Sequence, residues 1–140
     1  MEIKVFKIVE PTILEHAFEI RREVFVIEQK VDESEEYEFE EESTHFIAEV
    51  NGEYAGTARW RVTEKGVKLE RFAVKKDFRS IGVGSHLLST IINDIPTEHH
   101  YLYLHAQLTA IGLYAKYNFV AEGEMFEEAG IQHYKMVLKR

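Results

Sequence analysis

The sequence predicts a mixed α/β fold, a mixed sheet with helices packed on it, and three observations carry that prediction. Apolar residues alternate with a period of two in several short segments and recur at helical spacing in others. A hairpin dipeptide, Asn51-Gly52, separates two of the alternating segments. The chain has 140 residues, 45% of them apolar and 30% charged, which suffices for one buried core and predicts a single domain over residues 1–140.

Residues 2–8 alternate as a strand. Pro11 and Thr12 open a helix whose inner face carries Leu14, Ala17, Phe18, Arg21, Val24 and Phe25, with Arg21 breaking the apolar stripe. Thr44–Val50 and Glu53–Val62 read as a hairpin about Asn51-Gly52, and Glu64-Lys65-Gly66 turns the chain into a third strand of that set, Val67–Val74. The period then changes. Gly84, Leu87, Leu88, Ile91, Ile92 and Ile95 lie on one helical face, and Pro96 closes that helix because the residue before a proline is pushed out of helical geometry. Residues 101–106 read as a short buried strand, 109–117 as a helix and 133–138 as a final strand, free to act as a sheet edge and to pair across a dimer. The expected order is β-α-β-β-β-α-β-α-β.

Composition excludes several functions. A formal charge of −8 argues against a nucleic-acid binder, and no apolar run approaches the length of a membrane span. The first residues carry no signal-peptide pattern, and cysteine is absent, so the expected location is the cytoplasm. Absence of cysteine also removes disulfides, thiolate metal sites and a cysteine nucleophile. Much of the acidity lies between Asp32 and Glu42. That run is expected to be a solvated, mobile segment; its functional alternative is an acidic rim, with Glu49 and Glu53, that attracts a cationic amine. Adjacent His99 and His100 face different ways on a regular element, and no H-x-x-x-H spacing occurs, so no metal is expected.

The chemistry concentrates in residues 69–85, a strand, a short loop and a glycine-bearing helix start. Glycines let the backbone approach a ligand, and the free amides of a first helical turn add to the helix dipole to make a phosphate site. A nucleotide P-loop is excluded because Gly-Lys-Ser/Thr is missing, and the dinucleotide fingerprint fails because Leu87 stands where its third glycine belongs. What fits is R-x-x-G-x-G, here Arg79, Gly82 and Gly84, after a strand ending in Ala73-Val74.

This pattern resembles the acetyl-CoA pyrophosphate loop of GNAT acetyltransferases. Leu113-Tyr114-Ala115-Lys116-Tyr117-Asn118-Phe119 after strand 101–106 resembles the second family signature, with Asn118 in place of the usual glycine. Asn tolerates the left-handed conformation expected there. His105-Ala106-Gln107, the stretch from Glu128 to His133, and Arg22-Glu23-Val24-Phe25-Val26 with Glu28-Gln29 look like the ElaA/YjcF-type branch. The resemblance implies the GNAT fold, a central, mostly antiparallel twisted sheet flanked by helices, with strands ending at Val74 and Ala106 splayed to form a CoA cleft.

It also implies roles. The pantetheine of acetyl-CoA pairs near Phe72, Ala73 and Val74, and the Val74 amide holds the thioester carbonyl. The pyrophosphate rests on Arg79, Ser80, Ile81, Gly82, Val83, Gly84 and Ser85, with Lys75, Lys76 and Lys116 available for the adenosine phosphates. Tyr114 is the general acid for the leaving thiolate. An alkyl amine is only about 0.04% neutral at pH 7, so a base must take its proton. Glu70, His45, His105 and His133 remain open as that base, the alternative for Glu70 being an ion pair with Arg71 or Arg59 and no part in the chemistry. The expected activity is direct acetyl transfer from acetyl-CoA to a primary amine of an unidentified small molecule or peptide, by a monomer or homodimer. The rival is a silent acyl-CoA-binding sensor on the same fold.

Overall fold

The computed structural model describes residues 1–140. One seven-stranded sheet runs through the molecule in the order β1-β2-β3-β4-β5-β7-β6. Its strands are β1 (Ile3–Lys7), β2 (Thr44–Val50), β3 (Glu53–Val62), β4 (Val67–Val74), β5 (Tyr101–Gln107), β6 (Val120–Glu128) and β7 (Ile131–Lys139). Every neighbouring pair is antiparallel except β4 with β5. The helices are α1 (Pro11–Arg21), α2 (Glu33–Glu36), α3 (Val83–Asp94) and α4 (Ile111–Ala115).

Strand alternation sorts the core onto both faces. Phe46, Ala48 and Val50 of β2 meet Leu87, Leu88 and Ile91 of α3, while Ile47 between them packs with Ala17, Ile20 and Val24 on the α1 side. Leu87, Leu88 and Ile91 are fully buried, each contributing about 1.5–3 kcal/mol through apolar surface removed from water. At the N-terminus of α1, Pro11 needs no hydrogen-bond partner for a nitrogen that carries no hydrogen. Past Arg21 the helix widens into a π-helix over Arg22–Glu28.

Three expectations need correction. A strand absent from the sequence reading, β6, forms the sheet edge, so the last strand, β7, is interior and has no free edge for a dimer. Residues of β6 are almost all exposed and give no alternating apolar signal, and Gly123 at φ 83° lies within its register break. The helix read at 109–117 shortens to α4 after a 3₁₀ turn over Leu108–Ala110. The acidic run is also ordered. Asp32 caps α2 through Ser34, and Glu36 is 2% exposed.

Arg21 explains that order. Its guanidinium is buried and donates to Glu36 Oε1 at 2.9 Å and Glu40 Oε2 at 2.8 Å. Glu40 also pairs with Arg59, which in turn reaches Glu70 at 2.8 Å. The residue that broke the apolar stripe of α1 is thus the anchor of the acidic segment. Deleting one partner of such a pair leaves a buried charge and costs about 3–5 kcal/mol.

Candidate active site

β4 and β5 pair only at Val67↔Leu102 and Lys68↔Tyr103. Beyond that point they diverge, and a cavity of about 570 Å³ opens between them. The bend originates in β4. Its register with β3 slips between Thr57 and Arg59, so Arg71 and Phe72 oppose one residue, and Arg71 takes a left-handed φ of 59°. A bulge of this kind kinks a strand and re-aims its side chains. Arg71 and Phe72 both face the cavity. Past the bulge, the Lys75 amide donates to the Ala55 carbonyl on β3 at 2.8 Å. Alternation therefore turns the Val74 amide and carbonyl toward the open side.

The loop from β4 to α3 is held by Arg79. Its Nε donates to the Val74 carbonyl at 2.9 Å, and both terminal nitrogens reach Glu28, at 2.6 and 2.7 Å. Its charge is paired with the π-helix that continues α1. Ser80 at φ 65° and Gly82 at φ 100° shape the turn. Gly82 starts the twelve-residue α3 with no side-chain cap. The amides of Val83, Gly84 and Ser85 consequently lack intrahelical acceptors, and Gly84 forms part of the cavity wall. A Cβ on Gly84 would lie 3.2 Å from Leu113 of α4, so glycine there serves packing as well as access. Uncapped amides, a helix dipole and an adjoining cleft with one open strand edge fit a pyrophosphate-bearing thioester such as acetyl-CoA.

Tyr114 projects from α4 into the cavity wall, edge-to-face with Phe72 at 5.5 Å and Phe119 at 6.3 Å. Burial alone pushes its phenol up, so it keeps its proton throughout the neutral range. Asn118, just past α4, adopts the left-handed φ of 70° that its position requires. Lys116 is exposed and Ala73 packs on the α1 side, so neither side chain lines the cavity.

The four candidate bases separate clearly. Glu70 accepts from Arg59 at 2.8 Å and Arg61 at 2.5 Å, with Lys68 at 3.4 Å. Burial opposes its ionisation, yet these cations outweigh burial and hold the carboxyl at about 2. A carboxylate so held takes no proton at neutral pH, which corrects its candidacy as the base. His45 is buried against the Glu40 carbonyl, outside the cavity wall. His105 and His133 both face the cavity. His105 Nδ1 lies 3.0 Å from Glu128 Oε2, and His133 Nδ1 lies 2.7 Å from the Ile131 carbonyl.

The structure adds residues that the sequence did not single out as candidates. Gln29 and Gln107 exchange two amide hydrogen bonds, at 3.2 and 2.9 Å, across the cavity from the π-helix to the end of β5. Glu36 also lines the cavity. Its Oε2 has no hydrogen-bond partner, and burial pushes the carboxyl up despite Arg21. No motif marks these side chains, because their meeting depends on contacts 78 residues apart for the glutamines.

The family description "Acetyltransferase (GNAT) domain" matches residues 9–140. The chain belongs to the GNAT acetyltransferase family. This GNAT chain is 36% identical over 127 residues to the uncharacterized N-acetyltransferase YjcF of Bacillus subtilis, covering 89% of this chain and 91% of YjcF. Its fold matches that of Escherichia coli ElaA with a TM-score of 0.79 at 23% identity, over 99% of this chain and 100% of ElaA. A GNAT acetyltransferase from Elizabethkingia anophelis with acetyl-CoA bound aligns with a TM-score of 0.68 at 16% identity, over 99% and 98% of the two chains. Family and fold together make this chain an acyltransferase. No helix of the GNAT chain is long and apolar enough to cross a membrane. No group of three His, Cys, Asp or Glu side chains is placed to hold a metal ion.

Proposed function

We propose that this GNAT chain transfers an acetyl group from acetyl-CoA directly to a primary amine of a small molecule or peptide. The observation that carries the reading is the divergence of β4 from β5 beside the uncapped start of α3. The amides from Ser80 to Ser85 hold the pyrophosphate, the open edge of β4 at Phe72 and Val74 holds the pantetheine arm, and the thioester supplies an activated acetyl group. The Val74 amide, turned away from β3, donates to the carbonyl oxygen as negative charge develops there. Arg79 fixes the loop through Glu28 and the Val74 carbonyl.

Tyr114 is the hydrogen donor to the departing sulfur. Its raised phenol remains protonated and so keeps a hydrogen to donate. The acceptor enters from the side of β5 and β7, where His105 and His133 offer imidazoles to take its proton. Lack of cysteine and of a membrane-spanning helix fits a cytoplasmic enzyme. The exposed edge β6, not β7, is the strand available for pairing if the protein dimerises.

The test is release of CoA from acetyl-CoA in the presence of a panel of alkyl amines, amino sugars and peptides. Tyr114→Phe is expected to lower kcat by about tenfold to a hundredfold while acetyl-CoA affinity holds. Initial-rate lines that intersect are expected for direct transfer; a ping-pong pattern contradicts it. Acetyl-CoA binding without CoA release by any amine would instead identify a binding module.

A further inference from the structure

Two imidazoles face the cavity, and the hydrogen bonds behind them differ. A carbonyl and a carboxylate only accept, so Nδ1 is the donor in both rings, to Ile131 in His133 and to Glu128 in His105. Each neutral ring therefore presents Nε2 as a bare lone pair. His133 is 6% exposed, stacked on Phe126 and backed by a neutral carbonyl. The His105 side chain is 24% exposed and is backed by a carboxylate.

Local structure builds this difference. Ala129 at φ 52° and Gly130 at φ 77° form the tight turn between β6 and β7, setting Glu128 opposite Ile131 at the hairpin tip. From there the Glu128 carboxylate reaches His105 on β5. Phe126, on the same strand, stands edge-on to the His105 ring at 5.0 Å and limits its rotation. The hydrogen bond from His105 holds the Glu128 carboxyl below the usual range, with Lys68 and His133 adding to the effect. The carboxylate is therefore ionised when the neighbouring ring gains a proton.

We propose that Glu128 is a positioning residue that holds the His105 ring with Nε2 toward the acceptor, making His105 the general base for the acetyl transfer proposed above. The inference rests on that reading of the cavity. In the step, the acceptor nitrogen forms a bond to the acetyl carbon and gives a proton to His105 Nε2. The carbon–sulfur bond breaks, and the sulfur receives the proton of Tyr114. Glu128 accepts the Nδ1 hydrogen of His105 directly, a carboxylate hydrogen bond that His133 lacks. Other charges around the dyad are Lys68 and Glu70 on β4, His133 and Lys135 on β7, and Arg71, Glu35, Glu36 and Glu38 across the cavity. Glu70 is already neutralised by Arg59 and Arg61, and Glu36 by Arg21.

Two readouts on the full chain test this. The first is the pH dependence of amine-stimulated CoA release by the native protein and by His105→Gln, Glu128→Gln, Glu128→Asp and His133→Gln. His105→Gln is expected to lower kcat/KM by about 10²- to 10⁴-fold and to remove the acid limb of the profile. Glu128→Gln is expected to lower it by about tenfold, with partial return in Glu128→Asp and unchanged acetyl-CoA affinity. The second is imidazole nitrogen NMR, which needs no acceptor. It should find the His105 ring protonated at Nδ1, with resonances that change in Glu128→Gln. A kcat/KM that stays put in Glu128→Gln, or a His105 ring protonated at Nε2, overturns the proposal. Loss of the acid limb in His133→Gln with retention in His105→Gln overturns it in favour of His133. Acetyl-CoA binding without release by the native protein defeats the transfer reading and the base with it, while NMR still decides whether Glu128 positions the ring.

Discussion

Glu70 and Glu128 are both glutamates on strands beside one cavity, and their neighbours give them opposite duties. Glu70 faces Arg59, Arg61 and Lys68, and its carboxylate is fixed. Glu128 faces His105, a partner whose charge can change. The consequence for Glu70 is thermodynamic. Its carboxyl falls from an ordinary 4.5 to about 2 on folding, so it contributes stability on the order of 3 kcal/mol above pH 4.5 that is lost as pH falls toward 2. Glu36 is shifted the other way, and its contribution is present at low pH and lost as pH rises through its folded value. Urea midpoints followed from pH 5 to pH 2 should fall for the native protein and fall less for Glu70→Gln. Equal slopes would mean that Glu70 is not held by its arginines. The sequence left Glu70 either as a base or as a partner of Arg71 or Arg59, and the bulge and register of β4 decide for Arg59, adding Arg61 and Lys68.

At the scale of elements, the closed end of the cleft depends on one turn. Gly66, before β4, takes φ 148°, and a Cβ there would collide with the Tyr101 carbonyl at the start of β5. That contact lies beside the only two pairs that join β4 to β5. Gly66→Ala should therefore lower stability by about 1–3 kcal/mol, read from the urea midpoint, and weaken acetyl-CoA binding by disturbing the angle between the strands. Unchanged stability would show that the turn has room. The element-level sequence reading succeeded where one period dominated. Strands β2 and β3 followed from alternation about Asn51-Gly52, and α3 from its apolar stripe. It failed at β6, where exposed acidic residues leave no period to read, and at α2, whose acidic residues looked like a solvated run. Arg21 in an apolar stripe was the available clue to α2, because a buried guanidinium demands carboxylates.

Across the whole molecule, two halves of the sheet meet only at the base of β4 and β5, and everything assigned to function sits in or beside the gap above it. One side brings the α3 amides and the bulged edge of β4; the other brings His105, His133 and Glu128. The Gln29–Gln107 pair and the Arg79–Glu28 pair tie the π-helix that continues α1 to both sides. The loop and Tyr114 were legible because they lie in short contiguous motifs. The partners of the cavity were not, because they come together from strands distant in sequence.

The central claim is that the start of α3 receives the phosphates of acetyl-CoA, and calorimetric titration of the purified protein tests it most directly. Ser80 is exposed at φ 65°, a conformation that Asp tolerates, so Ser80→Asp adds a negative charge beside the α3 amides without disturbing the core. The account predicts micromolar acetyl-CoA binding by the native protein, weakened about tenfold or more in Ser80→Asp at unchanged thermal stability. Failure of the folded native protein to bind acetyl-CoA, or equal affinity in the variant, would contradict it.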